Sequence, residues 1–354
     1  MKEKIKSKNI APALCLIFLS PLITEILPGS TRFSSLFVFP LEVLVWGGGA
    51  LLIRYIVRKY GLGWMSMLFL AMALSVAEEF LIQQTSAAPL VIRLKGETYA
   101  RTLGLNYVYF LWALIYESVY AVLLPVALTE LIFPTRKTDL WIRKSGVILF
   151  SILFLTGCTG AWFTWTQIAR IKVIHLAPYT PPITLLGIAI LVIISLVAIA
   201  FKFPALPRKG VTAPTYIPPS WLVFILGITW SILLFGVSVL AFGIAPKFPP
   251  IIAVIISLGL GIVPIILLKR WSENPQWKSM HRFSTIFGTI LGYTLISFVG
   301  FIGALRADLY FKIIMDIAAI VLMILLGLKL KKVHPKDPLN PKQETLERTL
   351  SLDR

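Results

Sequence analysis

The chain has 354 residues, 57% of them hydrophobic and 14% charged, with a formal net charge of +18. An average soluble domain carries about 25% charged residues, so a soluble enzyme or a solvated nucleic-acid-binding face is excluded despite the basic balance. Cys15 and Cys158, the two cysteines, both fall in apolar runs, which excludes a disulfide framework and a CxxC redox pair.

Ten apolar runs follow one another, at about 10–28, 36–57, 64–84, 106–133, 145–165, 182–201, 220–244, 250–268, 283–305 and 308–330. Crossing about 30 Å of hydrocarbon takes a helix of about 20 residues. The runs are continuous and lack the alternation of a barrel strand. The predicted fold is therefore all-α, a polytopic transmembrane helix bundle of about ten spans, because only helices or closed barrels satisfy the backbone in lipid.

The basic start MKEKIKSKNI leads into APALCLIFLSPLITEILP. Glu25 interrupts this apolar run and no A-x-A site follows, so the segment reads as a retained first helix rather than a cleaved leader. The second run carries Glu42, then Gly47, Gly48 and Gly49, where a neighbour can approach the backbone closely. Arg54 closes it. The third ends in ALSVAEEFLIQQ, with Glu78 and Glu79 adjacent in a lipid-compatible stretch. The fourth carries Asn106, Tyr109, Tyr116, Glu117, Tyr120 and, near its far end, Glu130. Pro12, Pro21, Pro125 and Pro264 predict kinks, and Gly288 and Gly292 form a GxxxG on the ninth run.

Longer connections lie at 85–105 and 166–182. The proline-rich stretch 202–219 divides a half at 1–201, which carries the intramembrane acids, from a helical half at 220–330. A polar tail occupies 331–354. With the N-terminus in the cytoplasm, 25 of the 34 Lys and Arg fall on inner segments. The positive-inside rule then places both termini in the cytoplasm and the chain in a cell membrane.

The acids concentrate in the first four runs. Glu42 and Glu78 each sit about 9 Å from the outer end of their helix, and Glu117 about 16 Å in, at 1.5 Å per residue. A charge at the bilayer centre costs roughly 2.5–3.5 kcal/mol, so these groups are expected to face the protein interior and to share protons or hold a cation. Ser75, Glu79 and Gln83, four apart, predict one polar face; Asn106, Tyr109, Tyr116, Glu117 and Tyr120 predict another. The candidate core site is Glu78, Glu79 and Glu117. Gln83, Tyr116 and Asn106 are expected as hydrogen-bonding support, and Glu42 and Glu25 at its outer mouth. Arg54 and Glu130 read as a structural ion pair. In the second half, Asp308 and Arg306 fall at a boundary and are expected to be solvated, leaving Asp316 as the intramembrane acid there.

Conventional apparatus is missing from the sequence. His175, His281 and His334 lie in predicted loops or the tail, and no HExxH, GxxxxGK[ST], GxSxG or CxxCH occurs. No resident metal or cofactor is expected.

At EEFLIQ the sequence resembles the EExxxR motif of the CPBP family, the CAAX-protease and bacteriocin-processing membrane proteins. The resemblance implies a site in which a glutamate activates water, with Glu78 and Glu79 at the two glutamate positions. Gln83 stands where that family has arginine. Glu117, in ALIYE, stands where its next helix has histidine, and no counterpart of its third motif is found. GGGALLIR is also similar to uncharacterised multi-pass bacterial proteins, which implies no activity. Three readings follow: a transporter or permease coupling a proton or cation to an unknown small solute, a divergent or non-catalytic CPBP-like protease, or a membrane scaffold for partner subunits. The expected partners are the lipid bilayer and a small solute or ion, with no nucleic acid; oligomers remain open.

Overall fold

The computed structural model describes residues 10–88, 99–172, 175–203, 216–236 and 247–332. Most of the proline-rich stretch, most of the polar tail, His334 and part of each long connection lie outside the described residues.

Ten helices are described: α1 Ala11–Ile26, α2 Phe33–Lys59, α3 Trp64–Ile82, α4 Tyr107–Ile132 and α5 Lys144–Lys172, then α6 Ile183–Ala200, α7 Ser220–Phe235, α8 Pro250–Glu273, α9 Ser279–Phe301 and α10 Arg306–Lys332. All but α1 and α7 are long and apolar enough to cross a membrane. Prolines set three of the starts: Pro182 and Pro219 precede α6 and α7, and Pro249 and Pro250 open α8. A proline costs nothing at these positions, where the N–H has no helical acceptor. A two-strand ribbon, β1 Arg101–Thr102 with β2 Leu105–Asn106, leads into α4.

The helices differ in how much they hide. In α3, α4 and α9 the most apolar windows are 72%, 67% and 56% buried, whereas those of α5, α6, α8 and α10 are 17% or less. With hydropathies of 1.8 to 3.0, the latter four present their apolar faces outward, as helices bathed in lipid do. Beside two smaller clusters, two large apolar cores result. One joins α1, α2, α3 and α4 around Leu16, Trp46, Leu51, Leu70 and Val126. The other joins α1 and α4 to α7, α9 and α10 around Trp112, Tyr116, Tyr120, Leu234, Tyr293 and Met323.

Glycine lets these helices touch. A Cβ on Gly47 would collide with the Ile17 carbonyl of α1, and one on Gly49 with Leu74 of α3. Gly48 faces Phe154 of α5, so the triplet brings three neighbours onto α2. Gly288 and Gly292 do the same for α9, whose backbone lies against Phe224 and Ile228 of α7.

Four helices depart from regular α-geometry beside their acids. The N–H of Leu27 reaches the carbonyl of Leu22, and that of Gln83 the carbonyl of Glu78, both five residues back at about 2.9 Å. Gly48 bonds Val43 and Leu124 bonds Val119 in the same way. These wide π-turns contain Glu25, Glu78 and Glu79, and directly follow Glu42 and Glu117. Pro21, Pro40 and Pro125, which each withhold an N–H from the regular ladder, lie near three of them.

One expectation is corrected. Asp308 is not solvated; it is 2% exposed and accepts from the backbone N–H and the hydroxyl of Ser34, at 2.9 and 3.0 Å. The first N–H groups of a helix lack internal acceptors, and Asp308 supplies one to α2 from across the bundle. Arg306 is exposed.

Candidate functional site

Glu78 and Glu79 end α3 and Glu117 lies midway along α4. They are 2%, 1% and 7% exposed, and one carboxylate oxygen from each lies within 4.8 Å of the others. A π-turn at Glu78–Ile82 begins at this pair, as π-bulges frequently do at functional sites.

The chain then reverses sharply. Gln84 adopts φ +63°, a left-handed conformation at the helix C-terminus, with its N–H returned to the Glu78 carbonyl at 3.2 Å. That reversal aims Ser86 back at the site, where its hydroxyl donates to Oε2 of Glu79. Thr85 and the Glu117 carboxylate lie beside Glu79. Ser75, one turn before Glu79, donates to the Ala113 carbonyl of α4 at 3.4 Å and contacts Glu117. Oε1 of Glu78 and Oε2 of Glu117 are buried without a hydrogen-bond partner.

The other named residues surround this centre in different ways. Glu25 is half-buried beside Trp46, and within electrostatic reach of both Glu42 and Glu78. The Thr31 hydroxyl donates to Oε1 of Glu42. The five acids thus form a file from the start of α2 inward. Tyr109 lies within electrostatic reach of all three central glutamates.

Three supporting roles differ from expectation. Tyr116 does not bond a carboxylate; its hydroxyl donates to the Thr24 carbonyl, holding α1 to α4. Its ring stacks on Trp112 and Tyr120 at 4.9 and 4.8 Å, and Tyr120 in turn bonds Ser231 and Thr289 of α7 and α9. Asn106 caps α4, accepting from the Tyr109 N–H at 3.0 Å, because the first helical N–H groups need an acceptor. Gln83 is carried by the π-turn off the Ser75–Glu79 line, to a small cavity with Gln84, Trp165, Arg170 and Tyr179. At that cavity burial raises the Tyr179 phenol, against the opposing pull of the Arg101 and Arg170 guanidiniums.

Arg54 and Glu130 meet at the opposite end of the bundle. Arg54 Nε donates to Glu130 at 3.0 Å, its other nitrogens bond the carbonyls of Lys137 and Asp139, and its guanidinium lies over the Trp141 ring. Arg58 joins with two bonds to the same carboxylate, at 2.6 and 2.8 Å.

The sequence reading missed Lys312. It is 1% exposed on α10, paired with Asp316 and bonded to the carbonyls of Leu27 and Thr294 at 2.6 and 3.2 Å. The four-residue spacing from Asp316 was the available signal. Ser86 and Thr85 had none, since their approach depends on the reversal at Gln84.

Compared with known protein families, characterised proteins and solved structures, the chain matches none.

Proposed function

We propose that this protein is a transporter or permease of a cell membrane, in which Glu78, Glu79 and Glu117 bind a proton or cation and couple its movement to that of a small solute. One observation carries the reading: three buried carboxylates from two helices bring their oxygens within 4.8 Å of one another. Two like charges 4 Å apart repel by about 4 kcal/mol at an effective dielectric of 20, so the trio is not stable fully ionised and alone. Protons or a cation must balance it, and intramembrane acids of this kind line ion pathways. The file through Glu25 and Glu42 supports a route to one face, and the positive-inside count makes that face the outer one. The wide turns beside these five acids support a bundle whose helices can rearrange there.

The test is flux in proteoliposomes. Wild-type protein is expected to dissipate an imposed proton or cation gradient, and Glu79→Gln to reduce that flux at least tenfold. Equal flux from both would remove the coupling role.

A second reading, a hydrolase of the CPBP type, draws on one specific observation. Glu117, at the position where that family has histidine, meets the Glu78–Glu79 pair. It requires cleavage of a membrane-tethered peptide or prenylated substrate that Glu78→Ala abolishes. The described histidines, His175 and His281, lie beyond the helix ends or at the first turn of α9, which favours the transporter. A scaffold role would leave both variants without effect except on assembly.

A further inference from the structure

The identity of the bound species follows from the donor set. Every atom that Glu78, Glu79 and Glu117 present to one another is a carboxylate oxygen, and the side chain that steadies Glu79, Ser86, adds a hydroxyl. Oxygen-only sites suit hard cations, whereas thiolate and imidazole select softer transition metals. Cys158 of α5 is within electrostatic reach of Glu78 but stands outside the cluster.

Spacing agrees with that chemistry. A cation 2.3–2.6 Å from each ligand, the range for Ca²⁺, holds ligand oxygens at most about 4.6–5.2 Å apart, and one at 2.0–2.1 Å, as for Mg²⁺, at most about 4.2 Å. The three oxygens, within 4.8 Å of one another, are compatible with the first range.

Two further observations point to a ligand rather than to packing. Oε1 of Glu78 and Oε2 of Glu117 are buried and unpartnered on side chains 2% and 7% exposed. A carboxylate oxygen only accepts, so what completes it must be positive or a donor. Among the described residues the buried basic groups are engaged elsewhere: Arg54 with Glu130, Lys312 with Asp316 and Arg170 with the Ala177 carbonyl. Ser86 meanwhile fixes the other side of Glu79, as outer partners of metal ligands do.

We propose that Glu78, Glu79 and Glu117 form a site for one hard divalent cation of the Mg²⁺, Mn²⁺ and Ca²⁺ class. The inference rests on reading the cluster as a cation site and goes beyond it in naming the class. Three carboxylates around a monovalent ion would leave two charges uncompensated in the interior; a dication leaves one. The α3–α4 seam is thus the point at which the ion ties two interior helices together.

Mn²⁺ is the probe. The full chain in lipid nanodiscs is titrated with Mn²⁺, and the free ion is followed by its paramagnetic resonance signal. One saturable site per chain is expected, displaced by Ca²⁺ or Mg²⁺ and not by equal concentrations of Na⁺ or K⁺. Loss of an outer partner costs about 10–100-fold in affinity, so Ser86→Ala is expected to weaken binding by about tenfold. Glu78→Gln and Glu117→Gln should weaken it by more, while Glu273→Gln, an exposed acid on α8, changes nothing. Divalent ions should also raise the melting temperature of the wild type, a readout independent of any variant. No binding above protein-free nanodiscs, or equal binding by wild type and Glu78→Gln, overturns the site. Glu79-dependent proton or Na⁺ flux without Mn²⁺ binding overturns the divalent assignment and leaves the transporter standing. Mn²⁺ binding without any flux upholds the site and removes the transporter.

Discussion

The bundle buries acids in two contrasting ways. Glu130 and Asp316 each face a cation, and that cation reaches further. Arg54 bonds the carbonyls of Lys137 and Asp139 beyond the end of α4, and Lys312 those of Leu27 and Thr294 at the ends of α1 and α9. Each pair balances its charge and stitches segments that are distant in sequence; every nitrogen of the Arg54 guanidinium is bonded, while Oδ1 of Asp316 has no partner. Glu78, Glu79 and Glu117 face one another instead, with one hydroxyl on Glu79 and open acceptors left on the other two. A buried charge that is paired and satisfied can be kept for architecture. A crowd of like charges with vacant oxygens weakens the fold on its own, and makes sense as a seat for something that arrives.

That contrast breaks most readily at Arg54. Removing one partner of a buried pair costs about 3–5 kcal/mol. Arg54→Met, which abandons Glu130, two carbonyls and the guanidinium's place over Trp141, is expected to lose up to that much in reversible detergent unfolding, Glu130 keeping Arg58. Adding Glu130→Leu should not recover the loss, because Glu130 still pairs with Arg58 in the single variant and its removal leaves Arg58 without a partner. A neutral Arg54→Met would show that the pair is ornamental and the contrast false.

Lys312 should give a smaller effect of the same sign. Its removal leaves the Asp316 carboxylate and two carbonyls short of a donor, and a buried unmet group costs about 1–3 kcal/mol. Lys312→Met is expected to destabilise within that range by the same measurement, and Lys312→Met with Asp316→Asn to lie nearer the wild type. If the double variant is worse than the single, Asp316 has a role outside the pair and belongs with the glutamates.

How much of this was legible in sequence differs by level. The apolar runs outline the helices because lipid leaves the backbone no alternative, and the membrane class follows. The three central glutamates were visible as acids at similar depth. Their supports were not. Gln83 was placed on the Ser75–Glu79 face by a 3.6-residue repeat that the π-turn at Glu78–Ile82 interrupts. Asn106 was read as polar lining when its position at the start of α4 made it a cap. Asp308 looked solvated because hydropathy ends near it, yet its partner, Ser34, lies 274 residues away in the chain. Periodicity reports which side of a helix a residue occupies; it does not report which distant segment waits there.

The smallest expected effect bears hardest on the comparison, since its sign differs. Glu78→Gln keeps shape, removes one charge from three, and gives up no hydrogen bond at Oε1, which has none. The new amide brings two donors into a pocket where Oε2 of Glu117 lacks one. Crowding falls while packing is unchanged, so stability should stay within about 1 kcal/mol of the wild type or rise. The melting increment given by divalent ions should shrink at the same time. A variant that gains or holds stability while losing its response to a ligand separates a binding group from a structural one. Arg54→Met cannot produce that outcome. Should Glu78→Gln instead unfold as readily as Arg54→Met, the two kinds of buried acid would be one kind, and the central glutamates would be there to hold α3 against α4.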